Sequence, residues 1–204
     1  MMKILIASGN VGKLREIQSV LGEHPLAKFT LILPHQLGLD LEVSETGSNY
    51  AENAALKART YARASGLLSL ADDSGLEVAA LDGAPGLHSA RYHPKPGATD
   101  ADRRSYLLQA LAAKPRPWPA HFHCTVAIAQ PNGQTWFANG DCFGEIIPQE
   151  RGYNGFGYDP IFLIPELGKT MAELSMAEKN QLSHRARAVM AALPILLELA
   201  VTGT

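Results

Sequence analysis

Cysteine is scarce. The 204 residues contain two, Cys124 and Cys142, too few for a disulfide framework. Reduced thiols and a cytoplasmic location are the expectation. Long apolar runs are missing as well. No stretch approaches the roughly twenty residues that a membrane span needs, and the apolar tail Ile195-Leu196-Leu197 meets Glu198 at once. The apolar start, Lys3 to Ala7, is shorter than a signal-peptide core and fits a buried strand. Nor is one sign of charge in excess. Lys and Arg total 18 against 20 Asp and Glu, a net charge of −2, which excludes a chain that coats nucleic acid through a broad basic surface. Repeats, low-complexity tracts and long linkers are absent. Apolar residues are plentiful at 46%, enough for one globular domain or two lobes sharing a core.

Periodicity sets the order of elements. Lys3 to Ala7 reads as a buried strand, followed by a turn at Ser8-Gly9-Asn10 and a helix from Lys13 to Leu21 with Leu14, Ile17, Val20 and Leu21 on one face. Phe29 to Leu33 is a second strand. Asn49 to Ser65 is a helix with Asn49 as N-cap, Glu52 at the capping-box spacing, and a face of Ala51, Ala55, Ala58 and Ala62 that permits close packing. Leu67 to Ala71 is a strand that runs into Asp72-Asp73-Ser74-Gly75, and Gly83 to Gly86 is a turn. Thr99 to Ala113 is a helix opening on a capping-box relative. Phe122 to Ala129 and Gln134 to Ala138 flank Pro131-Asn132-Gly133, a hairpin spacing that brings Cys124 and Cys142 near each other; Phe143 to Ile147 is a further strand. After the glycine-rich loop Gly152 to Pro160, Ser175 to Leu199 reads as one long helix kinked at Pro194. Alternating strands and helices with an inserted hairpin predict an α/β fold built on a mixed sheet.

Several clusters have the residue types that chemistry needs, each with a plainer alternative. Ser8-Gly9-Asn10-Val11-Gly12-Lys13 joins a strand to a helix N-terminus, where free N–H groups and a lysine attract phosphate; an ordinary strand-to-helix turn has the same composition. It is not a P-loop, which needs glycine where Ala7 stands and Ser or Thr where Leu14 stands. Asp72 and Asp73 are adjacent acids at a strand end. On an extended chain they point to opposite faces, and their repulsion is relieved by a hard cation such as Mg²⁺, or by water if the pair is only an acidic turn. Asn49, Asn53 and Lys57 recur every four residues as a polar stripe, with Glu45 just ahead of the helix. In Gly152 to Pro160, glycines around Phe156 free its ring to stack on a base or to plug the core. Lys179, His184 and Arg185 have no telling spacing, and His121 with His123 fits a structural role better than a metal site.

Taken together and in order, these stretches resemble the inosine/xanthosine triphosphate pyrophosphatase family. The matching segments are SGNVGKLREI from Ser8, ETGSNYAENAALKA from Glu45, ADDSGLEV from Ala71, GAPGLHSARY from Gly83, GFGYDPIF from Gly155 and EKNQLSHRARA from Glu178. Coverage runs from about Lys3 to near the C-terminus. The resemblance implies that residues 1–204 form a single pyrophosphatase domain of two lobes with a deep central nucleotide cleft, usually as a homodimer. It implies hydrolysis of non-standard purine nucleoside triphosphates to monophosphate and pyrophosphate, with Mg²⁺ as cofactor and no stable nucleic-acid or membrane partner. By position, Ser8, Gly9, Asn10, Val11, Gly12, Lys13 and Lys57 hold the triphosphate. Glu45 and Asp73 bind the metal with Asp72 as helper, and Asp73 also activates water. Ser74 contacts the nucleotide, Phe156 stacks on the base, Gly157, Tyr158 and Asp159 shape its pocket, and Lys179, His184 and Arg185 read its edge. A pyrophosphatase for modified pyrimidine nucleotides and a nucleotide sensor without turnover remain as alternatives. The acids Glu45 and Asp73 speak against the sensor, because added negative charge repels an anionic ligand unless a metal intervenes.

Overall fold

A computed structural model describes residues 2–22 and 29–202. They form a seven-stranded mixed sheet with flanking helices, in the strand order β2-β1-β3-β4-β5-β6-β7. The strands are β1 (Met2–Ile6), β2 (Phe29–Ile32), β3 (Leu68–Val78), β4 (Trp118–Ala129), β5 (Thr135–Ile146), β6 (Phe162–Ile164) and β7 (Lys169–Thr170). The helices are α1 (Val11–Gly22), α2 (Tyr50–Ser65), α3 (Asp100–Leu111), α4 (Met176–Leu182) and α5 (His184–Thr202). β1 pairs in parallel with β2 and β3, whereas β5–β6 and β6–β7 are antiparallel. The expected α/β class and mixed sheet are therefore present.

The chain divides into two compact units. The first comprises Met1–Asp73, Cys124–Gly140 and His184–Thr204; the second comprises Ser74–His123 and Asp141–Ser183. In the first unit one core gathers Ile4, Ile6, Ile17, Leu21, Leu70, Val126 and Val189. Each such side chain contributes about 1.5–3 kcal/mol on burial. A second core lies under α2, whose Ala54, Ala55, Ala58 and Ala62 pack on Leu5, Ala7, Ala71, Ala127 and Ala129. Alanine against alanine lets the helix axis come close to the sheet. Of the α2 alanines the first to be buried is Ala54; Ala51 is only partly covered. In the second unit Leu76, Leu107, Leu111, Phe122, Tyr158, Ile161 and Phe162 form the core.

Local rules account for most boundaries. Asn49 caps α2 by accepting from the Glu52 N–H, and Gly66 closes the helix in the left-handed region. Thr99 with Asp102 and Ser175 with Glu178 form reciprocal capping boxes for α3 and α4.

Three expectations need correction. The strand before the two aspartates does not end there: β3 continues through Asp72-Asp73-Ser74-Gly75 to Val78. Gln134–Ala138 and Phe143–Ile147 are not separate strands, because β5 runs unbroken through Asn139-Gly140. Gly140 is there for packing. A Cβ on it would overlap the His184 carbonyl and the Ala188 amide of α5, so glycine permits the helix start to lie against the strand. Finally, the last helix is not continuous: it breaks at Ser183 into α4 and α5, and Pro194 sits inside α5. Ser183 takes an extended conformation (φ −67°, ψ 150°), the backbone of a residue that begins a helix.

Both cysteines are free and buried. Cys124 packs in the first unit's core and Cys142 in the second's. Thr125 pairs with Asn139 and His123 with Asp141, so Cys124 stands opposite Gly140 in the hairpin and Cys142 opposite Phe122. The two thiols are thus not cross-strand partners. Among the described residues no helix is long and apolar enough to cross a membrane.

Candidate active site

The first unit contains two charged clusters, on opposite faces of β3. Extended backbone sends Asp72 one way and Asp73 the other.

Asp72 faces α1 and α5. Its Oδ2 lies 3.0 Å from Lys13 Nζ and 3.0 Å from Arg185 Nε, and the Arg185 Nη1 contacts Glu16 Oε2. Glu16, Asp72 and Arg185 are all buried. Burial of this kind strongly disfavours single charges, so two positive and two negative groups are held together. Burial works against the Asp72 carboxylate, but Lys13, Arg185 and Lys57 outweigh it and hold the group well below the usual carboxylate range. Burial likewise opposes the Arg185 charge, and Asp72 and Glu16 overcome it. Asp72, expected as a helper to the metal, is thus the anchor of two cations. Arg185, expected at the base edge, has its plane fixed by two carboxylates. Glu16 was not singled out from sequence. A lone glutamate on the apolar side of α1, flanked by Ile17 and followed by Val20, was the available sign.

Asp73 faces α2. Lys57 Nζ lies 2.9 Å from Glu45 Oε1 and 3.3 Å from Asp73 Oδ1. Asn53 Nδ2 donates to Asp73 Oδ2 at 3.2 Å, and Asn53 Oδ1 accepts from the Gly47 N–H at 2.8 Å, tying the segment ahead of α2 to the helix. The polar stripe is therefore Asn53 and Lys57; Asn49 is consumed as the cap. Burial raises the Asp73 pKa, offset in part by Lys57 and Lys13 and reinforced by Glu45. Lys57 also loses hydration, but Asp72, Asp73 and Glu45 prevail and keep its ammonium above the ordinary value.

These residues fit a divalent metal. Glu45 and Asp73 both reach one cation, at present the Lys57 ammonium, and two hard carboxylates are what Mg²⁺ takes from a protein when phosphates and waters complete its shell. Among the described residues no group of three or more His, Cys, Asp or Glu could hold a metal unaided, so a metal here would lean on the substrate.

The turn Ser8-Gly9-Asn10 precedes α1. Ser8 Oγ accepts from the Asn10 N–H at 3.1 Å, and Asn10 Oδ1 accepts from the Lys13 N–H at 3.1 Å, capping the helix. A Cβ on Gly9 would meet nothing within 4 Å, so the chain's own packing does not call for glycine there. Open space next to a helix N-terminus suits an approaching phosphate. Val11 is exposed on the first turn and Gly12 follows it inside the helix.

The second unit contains the aromatic loop. Asp159 Oδ2 accepts from the Phe156 N–H at 3.0 Å and from Lys179 Nζ at 2.7 Å, and Lys179 Nζ lies 5.3 Å from the Phe156 ring centre. Gly155 is in the left-handed region, and a Cβ there would strike the Asp159 carboxylate. Tyr158 is a core residue, its hydroxyl donating to the Ser89 carbonyl at 2.9 Å; burial pushes its pKa up. Ser74 opens this unit from within β3, half-buried. Lys179 lies in α4, whereas His184 and Arg185 open α5 in the first unit. Elsewhere His121 lies 3.5 Å from Glu77 and stacks on Phe143, and His123 pairs with Asp141 at 2.7 Å.

The Ham1 family model matches residues 4–195. The dITP/XTP pyrophosphatase of Listeria monocytogenes is 46% identical over 190 residues, 93% of this chain and 92% of its own. That of Synechocystis is 48% identical over 189 residues, 92% of each. Among solved structures, a HAM1 protein from Coxiella burnetii matches with a TM-score of 0.85 at 42% identity, covering 97% of this chain and all of its own. Since likeness in sequence and in backbone both extend from the first strand into the last helix, the chain belongs to the Ham1 family.

Proposed function

We propose that this protein hydrolyses non-standard purine nucleoside triphosphates, those of inosine, deoxyinosine and xanthosine, to the nucleoside monophosphate and pyrophosphate, removing them from the nucleotide pool. The observation that carries the reading is the meeting of Glu45 and Asp73 on one cation, the Lys57 ammonium. The pyrophosphatase names of relatives that match over nine-tenths of the chain support it.

The residues divide the work. The turn Ser8 to Asn10, with Val11 and Gly12 at the helix start, offers N–H groups to the phosphates, and Lys13 and Lys57 offset their charge. Asp73 orients and deprotonates the attacking water; a carboxylate that burial has made more basic suits this task. Glu45 and Asp73 would hold Mg²⁺, which when bound would supply charge stabilisation for phosphoryl transfer and a more acidic water. Ser74 contacts the nucleotide. Phe156 stacks on the base, Gly157 to Asp159 shape its surroundings, and Lys179, His184 and Arg185 present donors to its 6-oxo edge. A guanidinium whose plane is already fixed by Asp72 and Glu16 is a preset donor. Homodimeric assembly and a cytoplasmic location belong to the same reading.

With magnesium present, inosine triphosphate should be used far better than adenosine triphosphate. The adenine 6-amino group sets donor against donor, a mismatch worth about 1–3 kcal/mol, or roughly five- to 150-fold in kcat/KM. In ¹⁸O-labelled water the label should enter the monophosphate. Equal use of adenosine triphosphate would refute base reading by these donors. Label in pyrophosphate, or release of orthophosphate, would refute attack at the α-phosphorus.

Phe156→Ala should raise KM by a similar factor for every purine triphosphate, since a ring face is indifferent to edge chemistry; stacking contributes about 1–3 kcal/mol. Steady-state kinetics on inosine, xanthosine and deoxyinosine triphosphates reads this, and a loss confined to one base would show that Phe156 does something other than stack.

A further inference from the structure

The loop around Phe156 is held from a helix that nothing in the proposed chemistry uses. Asp100 and Arg104 are four residues apart on α3 and so share a face. Asp100 Oδ2 accepts from the Gly157 N–H at 2.8 Å, and Arg104 Nη1 donates to the Gly157 carbonyl at 2.8 Å. Arg104 is itself aligned by a two-point pair with Glu150, Nε to Oε1 at 2.8 Å and Nη2 to Oε2 at 2.9 Å. On the other side of Phe156, its N–H donates to Asp159 Oδ2 and its carbonyl accepts from the Asp159 N–H at 3.2 Å. Both peptide planes that flank the Phe156 Cα are therefore fixed. Gly157 has φ +61°, and a Cβ on it would meet nothing within 4 Å, so glycine serves the backbone angle there and not a shortage of space.

We propose that Asp100 and Arg104 are positioning residues for nucleotide binding, gripping the two polar groups of Gly157 so that the Phe156 ring stands preset to stack on a base. This rests on the stacking role given to Phe156 above. The grip is not what folds the loop. Tyr158 anchors it to Ser89 and Asp159 to Lys179, while α3 is fixed in the core by Leu107 and Leu111. What the grip adds is order before the ligand arrives. Immobilising a side chain only on binding weakens affinity by roughly two- to tenfold.

The test is a double-mutant cycle in the full chain, with inosine triphosphate and magnesium as probe. Arg104→Gln should raise KM about two- to tenfold with kcat held within about twofold and little change in Tm. Asp100→Ala should do the same, while Asp100→Asn, which keeps an acceptor oxygen for the Gly157 N–H, should stay near the parent. In the Phe156→Ala background Arg104→Gln should add almost nothing, because the part it positions is gone. If Arg104→Gln lowers Tm enough to obscure its kinetics, the contrast between Asp100→Ala and Asp100→Asn decides. An undiminished Arg104→Gln effect in the Phe156→Ala background would overturn the proposal. So would an unchanged KM in both Arg104→Gln and Asp100→Ala while Phe156→Ala raises it, and the stacking role would survive. An unchanged KM in Phe156→Ala alone would instead remove the stacking role and this proposal with it.

Discussion

Asp73→Asn is expected to lower kcat by about two to four orders of magnitude, the usual contribution of a placed general base, while the chain folds and still binds nucleotide. The amide keeps the shape of the carboxylate and the contact to Asn53, but loses the charge that orients water and, with Glu45, holds a metal. Stability should move the opposite way from activity. A carboxyl group whose folded pKa is raised binds its proton more tightly folded than unfolded, so its ionised form opposes folding at neutral pH. In magnesium-free buffer at pH 7 the variant should therefore have a Tm equal to or above that of the parent. Differential scanning calorimetry beside steady-state kinetics reads both. A kcat near the parent's would remove Asp73 from the chemistry, and a collapse in Tm would make it a structural residue.

Its neighbour should behave in reverse. Asp72→Asn leaves Lys13 and Arg185 with only Glu16 of the buried acids that face them, and breaking such a cluster costs about 3–5 kcal/mol. For a chain of this size that is a fall in Tm on the order of 10 °C. The sign with pH follows from the depressed pKa. The Asp72 carboxylate contributes its full stability above an unfolded value of about 3.9 and gives it up as pH falls below. The variant should thus lose stability most at neutral pH and show a shallower acid slope. Measured where both variants are folded, its loss of kcat should be smaller than that of Asp73→Asn. If it is larger, the roles of the two carboxylates are exchanged.

Much of this was legible before any coordinates. Caps at Asn49, Thr99 and Ser175 are local chemistry, and local chemistry is written in adjacent letters. The opposite facing of Asp72 and Asp73 follows from the two-residue period of a strand. What was not legible depends on distant partners. Two strands were expected where β5 is one, and the glycine within it, Gly140, is accounted for only by α5 lying on it. Ser175 to Leu199 read as one helix, yet it breaks at Ser183, whose extended backbone starts α5. The polar stripe on α2 was visible as spacing, but spacing could not tell that Asn53 and Lys57 reach Asp73. Nothing in the sequence singles out Asp100 and Arg104, because their partner, Gly157, offers only its backbone.

The facing of the two aspartates also ties chemistry to length. Inserting a single residue between Leu68 and Asp72 would turn each following side chain to the other side of the sheet. The carboxylate meant for Lys13 and Arg185 would then confront Lys57, and the one meant for Lys57 would be driven among α1 and α5. Two inserted residues would restore the parity. The facing of the two aspartates is therefore preserved only by even changes in the length of this stretch of β3, a rule of phase that no single residue in the strand reveals.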